Sequence, residues 1–389
     1  MSSVFVTDGR SLASLAVVRS LGRRGIDVYC GETFPMNLSR FSKYVTSFQR
    51  YPSPDNNPEA FVRWIVQFTR RQKIDLVLPV RDSTTLLLSK HKRKLPEQTR
   101  VYLPEGETVE RLDDKAETLK IAESCEVATP RTYFPERLEV REIKEQVEYP
   151  VLVRPRGGSG SRGITYVESE AEFDGSYRSV LEDYGLPIVQ EYVDKTGYST
   201  ACILLDGEGE CKASFSYERL KEYPTSGGPT VVGKSSDDPE VKRQATTLLR
   251  EAGWKGAAEV EFILDEEGVP LLLEVNPRFW TPIELAIRSG VDFPYLIYKL
   301  SRGHDVDPVH EYRTGVVYRW LLPNEILWLM ETENKLQGSK ELFSYERGRT
   351  CFGTLSKDDP FPVIGTAAQA LSFLTDAEKR AIVFDRGWN

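Results

Sequence analysis

Over residues 1–107 the chain alternates short apolar strands with amphipathic helices, and that alternation leaves few folds open. "SVFVTDG" reads as a buried strand ending in a turn. "SLASLAVVRSLGRRG" follows with apolar residues at helical spacing, opened by Ser11 as an N-cap and closed by Gly25. "IDVYCGE" is a second strand, "EAFVRWIVQFTRRQK" a second helix and "IDLVLPV" a third strand. The spacing predicts a doubly wound parallel sheet with helices on both faces. Its first turn, "TDGRS", lacks the glycines that a dinucleotide site would need there.

Beyond this unit the pattern changes. "LDDKAETLKIAESCEVATPRTYF" reads as a helix and connector. Then "YPVLVRPR", "GITYVES", "PIVQEYV" and "STACILLDGEGECKASFSYERL" read as strands separated by glycine-rich hairpins, which predicts an antiparallel sheet. A helix, "EVKRQATTLLREAGW", precedes two long strands, "GAAEVEFILD" and "VPLLLEVN". The expected α/β organisation is a first domain over 1–107 and a second over 108–310, with lobes of about 108–193 and 194–310. Residues 311–389 form a C-terminal segment packed on that core.

Charge narrows the function. The 51 Lys and Arg against 59 Asp and Glu give a formal net charge of −8, which argues against a nucleic-acid partner, since phosphate-backbone binding needs a basic face. The 5 cysteines form no CxxC pair, as expected of reduced thiols, and the 3 histidines lack zinc-site spacing. The opening "MSSVFVTDGRSLASL" has no basic stretch followed by an apolar run, and no segment reaches membrane-spanning length. The expectation is a cytoplasmic protein that does not enter a membrane.

Gly158-Ser159-Gly160-Ser161-Arg162-Gly163 satisfies G-x-G-x-x-G. A Rossmann fingerprint requires a helix to begin within the glycines, but here Ile164, Thr165, Tyr166 and Val167 continue as strand. No Gly-Lys-Ser/Thr follows, so a P-loop is excluded as well. Taken alone, the loop reads equally as a solvent-exposed hairpin or as a flap whose N–H groups close over an anion, with Arg154 and Arg156 nearby.

The carboxylates downstream favour the flap. In "AEVEFILDEEGVPLLLEVNPRFW", Glu274 and Asn276 are two apart and share one sheet face, which Glu261 on the preceding strand can also share. Two carboxylates and an amide oxygen are hard ligands suited to Mg²⁺. A Glu between Leu and Val is expected to be partly buried, where an uncompensated charge is costly and a cation or arginine is called for.

Together, "LREAGWKGAAEVEF", "LLLEVNPRFWTPIELAIRSGVDFP" and "ERLKEYPTSGGPT" resemble the ATP-grasp superfamily, in its carboxylate–amine ligase branch related to carbamoyl-phosphate synthase ATP-binding domains. The resemblance runs over nearly the whole chain. It implies an ATP-grasp fold, with a pre-ATP-grasp parallel-sheet domain followed by two α+β lobes with antiparallel sheets. It also implies that Glu261, Glu274 and Asn276 hold magnesium (or manganese) ions and that Arg278 is the catalytic cation at the transferring phosphoryl group. Lys115 and Arg154 would contact ATP phosphates, with Arg154 standing where many members have Lys. Gly160 and Ser161 would form the flap tip, and Gln190-Glu191-Tyr192-Val193 the hinge that binds adenine largely through backbone groups.

This sequence departs from the family pattern in two places. "KTGYST" puts Gly197 or Tyr198 where many relatives carry a ribose-binding Glu, and Thr281 stands where a Gly is frequent. In "YPTSGGPTVV", Ser226, Gly227 and Gly228 either offer backbone donors to the acceptor substrate or form an ordinary turn. Asp8, Arg10, Arg81 and Asp82 are further substrate contacts on the first domain, and Arg319 and Trp320 of the C-terminal segment read as packing residues in preference to residues that reach the site.

The chemistry implied is an ADP-forming condensation of a small-molecule carboxylate with an amine through an acyl phosphate. Alternatives are activation of a one-carbon acid, as in carbamoyl-phosphate synthase or biotin carboxylase relatives, and a non-catalytic ATP-binding regulator. Dimers are frequent in the superfamily, so a homodimer is one assembly the resemblance allows.

Overall fold

The computed structural model describes residues 2–158, 163–225 and 227–375. Gly160, Ser161 and Ser226 lie outside the described residues. The first unit comprises β1 (Ser3–Val6), α1 (Leu12–Gly22), β2 (Asp27–Glu32), β3 (Val45–Arg50), α2 (Pro58–Gln72), β4 (Leu76–Leu78) and α3 (Asp82–His91). Its four strands are parallel in the order β3-β2-β1-β4. Alternate residues serve opposite faces: Val4 and Val6 join one core with α1, while Phe5 joins another with Phe61, Ile65 and Phe68 of α2. Helices therefore cover both faces, as the alternation predicts. Ser11 caps α1 by accepting from the Ala13 N–H at 3.1 Å. The strand β3 was not read from sequence, because "VTSFQR" is a polar edge strand with little buried surface.

Because β2 and β4 flank β1 on opposite sides, the strand order reverses at β1 and β4. A crevice forms at the carboxyl ends of such a pair. The residues emerging there are Asp8 to Arg10 and Arg81 to Asp82.

After α4 (Gly106–Asp113) and α5 (Lys115–Ser124) come β5 (Thr132–Tyr133), α6 (Val140–Gln146), β6 (Val151–Arg154), β7 (Thr165–Val167), α7 (Glu170–Tyr184) and β8 (Ile188–Glu191). The strands form an antiparallel sheet ordered β5-β8-β6-β7. The glycine-rich segment thus joins two antiparallel neighbours, as a hairpin should. Where only hairpins were expected, α7 is a helix of 15 residues burying Phe173, Tyr177 and Val180, a spacing that the charged residues between them mask.

The third sheet is built from β9 (Gly197–Leu205), β10 (Cys211–Glu222), β11 (Thr230–Ser236), β12 (Gly256–Leu264) and β13 (Pro270–Asn276), with α8 (Pro239–Glu251) between β11 and β12. α9 (Ile283–Ser289), α10 (Phe293–Ser301), β14 (Val317–Arg319), α11 (Ile326–Glu331), α12 (Lys335–Leu342), β15 (Thr350–Phe352) and α13 (Pro362–Thr375) follow. The order is β13-β12-β9-β10-β11-β14-β15. It departs from an all-antiparallel sheet at one edge, where β14 and β15 run parallel. One face packs on α5 and α8 through Ala258, Val260 and Phe262, so the intervening Glu259 and Glu261 point to the other.

Buried charges fasten the late segment to the early one. Arg19 of α1, 1% exposed, pairs with Asp359 at 2.9 Å and donates to the Thr354 carbonyl at 2.8 Å. Asp359 also accepts from Ser42 Oγ at 2.8 Å and from the Lys43 N–H at 2.9 Å. No helix among the described residues is long and apolar enough to cross a membrane.

Candidate active site

The three sheets share one cleft of about 930 Å³. Arg10 and Arg81 line it from the parallel sheet, Leu152, Arg154 and Gln190 from the four-stranded sheet, and Glu261, Glu274 and Asn276 from the seven-stranded sheet. Lys115, Glu191, Tyr192, Val193, Gly227, Gly228, Asp82 and Arg278 also line it, so the described residues singled out from sequence as site residues meet in one place, with Asp8 the exception.

The strand pair sets the geometry. Glu261 lies opposite Glu274, and Glu259 opposite Asn276, in the β12–β13 ladder. Between the Glu261–Glu274 and Phe262–Leu272 pairs the register shifts, leaving Leu273 as the extra residue of a bulge. Leu273 and Glu274 therefore both face the cleft although adjacent in sequence. The bulge places an apolar wall beside a carboxylate.

Each carboxylate meets a cation. Lys115 Nζ stands 3.4 Å from Glu274 Oε2 and donates to the Gly158 carbonyl at 2.6 Å. Arg219, on β10, hydrogen-bonds Glu261 and also Glu222 at 3.0 Å. Arg278 hydrogen-bonds Asp82 and donates to Asn276 Oδ1 at 3.0 Å, so it spans the parallel sheet and β13. Burial pushes the Glu274 carboxyl up, but Lys115, Arg154 and Arg219 outweigh it and hold the group below the ordinary range. At Glu261 burial prevails over Arg219 and raises the carboxyl. Glu259, buried and beside Glu261, is pushed up to about 8.

Arg154 is buried, and burial lowers its affinity for a proton despite Glu274 nearby. It hydrogen-bonds Gln190 Oε1, yet its Nε has no hydrogen-bond partner among the described residues. An orphaned guanidinium N–H at a cleft wall fits an anion such as phosphate. Glu261, Glu274 and Asn276, which sit together on β12 and β13, offer hard oxygen ligands, although the Asn276 amide turns its nitrogen to Glu261 and its oxygen to Arg278. Among the described residues no group of three or more His, Cys, Asp or Glu is arranged to hold a metal alone. That donor set suits Mg²⁺, which completes its shell with water and phosphate.

Several expectations need correcting. Among the described residues Arg156 is turned toward α5 and its neighbours: it pairs with Asp114 at 3.1 Å and Glu136 at 3.3 Å. In the hinge, the Glu191 and Tyr192 N–H groups are taken by the Arg131 and Pro150 carbonyls, and the Gln190 side chain bridges Arg154 and Thr132. The Val193 N–H remains among the backbone donors there. The Gly227 N–H closes a turn onto the Pro224 carbonyl at 3.1 Å, which removes it as a donor to ligand. Gly228 is required for a steric reason, since a Cβ there would lie 2.2 Å from the Tyr223 carbonyl oxygen. Asp8 is buried, accepting from Thr84 Oγ1 at 2.6 Å and from the Arg81 N–H at 3.1 Å, and it shapes the turn instead of lining the cleft. Arg319 is buried against Glu325 at 2.6 Å, whereas Trp320 does line the cleft.

The sequence reading missed Glu259, Arg219, Tyr198 with Glu222, and helix α13. The alternation that exposes Glu261 to the cleft applies equally to Glu259, so that signal was present. Arg219 carried none, because its partner lies 42 residues away. Tyr198 donates to Glu222 Oε1 at 3.3 Å, and both line the cleft at the place where the hinge leads into β9. At the opposite end Thr354, Thr366, Gln369 and Ala370 form a wall beside Arg10.

Antiparallel strands that carry paired carboxylates facing cations, in a cleft shared by three sheets, define the class of fold that the comparisons with known proteins identify. Residues 112–282 match the family model described as an ATP-grasp domain, so the chain carries an ATP-grasp domain. The chain is 28% identical over 173 residues to acetyl-CoA carboxylase of Dictyostelium discoideum, covering 42% of this chain and 8% of that one. It is 26% identical over 190 residues to the carbamoyl phosphate synthase large chain, N-terminal section, of Methanopyrus kandleri, covering 46% and 34%. These matches take in less than half the length of either relative. Among solved structures, N5-carboxyaminoimidazole synthetase from Staphylococcus aureus superposes with a TM-score of 0.67 at 13% identity, over 95% of this chain and 96% of that one. That likeness establishes the fold.

Proposed function

We propose that the chain is an ATP-dependent ligase that joins a carboxylate to an amine through an acyl phosphate, releasing ADP and phosphate. The observation that carries this reading is the facing pair Glu261 and Glu274, each matched by a cation, beside the orphaned Arg154 Nε in one cleft. Glu261, Glu274 and Asn276 are the ligands for magnesium, which when bound neutralises phosphate charge. Arg154 and Lys115 hold the ATP phosphates, and the Val193 N–H and hinge carbonyls take the adenine edge. Leu152 and Leu273 supply apolar walls for the base. Glu222, presented by Tyr198, occupies the stretch between hinge and phosphates and takes the ribose hydroxyls.

The substrate carboxylate oxygen attacks the γ-phosphorus as the bond to the β–γ bridging oxygen breaks and ADP leaves. The amine then attacks the acyl carbon, losing a proton as phosphate departs. Arg278, anchored by Asp82 and Asn276, holds a guanidinium where the phosphoryl charge accumulates, and because it is already fixed it needs little reorganisation. Lys115 ties the hairpin to the strand pair, which favours exclusion of water from the acyl phosphate. Arg10, Arg81 and the α13 wall form the substrate end.

The test is ADP formation with Mg-ATP across pooled amino acids and small carboxylic acids, comparing the wild type with Glu274→Gln. Substrate-dependent ADP release that disappears in the variant supports the ligase. A chain that binds ATP but is stimulated by no pool sinks the ligase reading.

A further inference from the structure

We propose that Glu259 is a positioning residue that fixes the Asn276 amide so that its oxygen, and not its nitrogen, is presented beside Arg278 at the phosphate end of the cleft. The proposal rests on the reading of Asn276 as a metal ligand. An asparagine side chain has nearly the same shape either way round, so its neighbours must choose its orientation. Asn276 Nδ2 donates to Glu259 Oε2 at 3.0 Å and to Glu261 Oε1 at 3.2 Å, while Oδ1 accepts from Arg278 Nη2 at 3.0 Å. Both Glu259 oxygens accept, one from Tyr217 and one from Asn276, as does the Glu261 oxygen facing the amide, while a guanidinium only donates. The reversed amide would set its oxygen against two accepting oxygens and its NH₂ group against a guanidinium.

Of the two carboxylates, Glu259 is the one that can hold Asn276 throughout a cycle. Glu261 already faces Arg219 and is itself assigned to the cation, so its contact with Asn276 competes with both. Glu259 has no such second duty. It is 4% exposed, and Tyr217, 1% exposed, donates to its Oε1 at 2.6 Å. Tyr217, Glu259 and Asn276 thus form a relay from β10 through β12 to β13, three strands of one sheet whose spacing is fixed by their ladders. A carboxylate this buried beside another carboxylate is costly to keep, and orienting Asn276 is the use that its hydrogen bonds define.

The experiment measures Mn²⁺ binding to the protein–ADP complex by electron paramagnetic resonance, together with ADP binding without metal. A glutamine at 259 can donate as well as accept, so Glu259→Gln lets the amide reverse. The expected result is an Mn²⁺ affinity lower by about 10- to 100-fold, with metal-free ADP affinity unchanged within about twofold. In an Asn276→Asp background both terminal atoms are oxygen and nothing is left to orient, so adding Glu259→Gln should weaken Mn²⁺ no further. Tyr217→Phe, which keeps the carboxylate and removes one tether, should weaken Mn²⁺ in the same direction by less. An unchanged Mn²⁺ affinity in Glu259→Gln overturns the proposal, as does an equal fall in both backgrounds, which would mark a charge or packing role. A wild-type chain that binds neither ADP nor Mn²⁺ overturns instead the nucleotide reading beneath it.

Discussion

Lys115 and Glu274 face each other at 3.4 Å across the cleft, and the same ammonium reaches the Gly158 carbonyl at 2.6 Å. One cation therefore joins the start of α5, the strand β13 and the glycine-rich hairpin. Glu274→Gln leaves Lys115 and Arg154 without their shared anion. ADP formation should fall by on the order of 100-fold or more, as when a preorganised electrostatic contact is removed. Steady-state ADP release measures it, and a variant within a few-fold of wild type would remove Glu274 from the site.

Tyr198 and Glu222 supply a second prediction. If Glu222 takes the ribose hydroxyls, the wild type should prefer ATP to 2′-deoxy-ATP by roughly 10-fold, the worth of one hydrogen bond to a charged group. Glu222→Gln should compress that preference toward unity by weakening ATP, with little effect on the deoxynucleotide. Competition binding with the two nucleotides decides the matter, and an undiminished preference would rule Glu222 out.

The Arg219 side chain is 7% exposed and holds both Glu261 and Glu222. Arg219→Ala leaves the largely buried Glu261 and Glu222 side chains without their shared cation. Breaking such a buried pair from one side costs about 3–5 kcal/mol, which urea unfolding would register. A loss under about 1 kcal/mol would indicate that water reaches Glu261 freely.

Glu284 gives a prediction in pH. It is 6% exposed, its Oε2 lacks a hydrogen-bond partner among the described residues, and burial pushes its carboxyl up from 4.5 to about 7, relieved in part by Arg23 and Arg19. The folded chain thus keeps a proton that the unfolded chain releases. The associated stability is present in full below about pH 4.5 and is lost as pH rises toward 7. Glu284→Gln should therefore be more stable than wild type at about pH 8, by at most roughly 3 kcal/mol, with the gap closing as pH falls toward 4.5. Denaturation at both pH values checks this, and a gap independent of pH would refute it.

Local periodicity carried much of the fold. The β1-α1-β2 alternation, the α8 helix and the β12–β13 hairpin each follow from apolar spacing that a short window contains. β3 and α7 escaped because an edge strand and a charge-rich helix bury few residues, so the period is faint. At the site, Glu261, Glu274, Asn276 and Arg278 were legible because they lie on adjacent strands with short separation. The roles given to Arg156 and Asp8 failed, and of the two readings of Gly227 the turn held over the donor, for one shared reason. A residue type shows what a group can donate or accept, but only the fold shows which neighbour has already claimed it. Arg219 and α13 were illegible for the converse reason, since their partners are distant in the chain.

The pairing of Arg19 with Asp359 bears on how the chain is made. Arg19 leaves the ribosome 340 residues before its carboxylate partner. Through most of synthesis, α1 therefore carries a guanidinium meant for a dry interior with no counter-charge to meet it, and the parallel sheet cannot finish its own packing. The sheet written first should be among the last parts to become resistant to a protease added to nascent chains. Its protection should arrive together with the segment that bears Asp359.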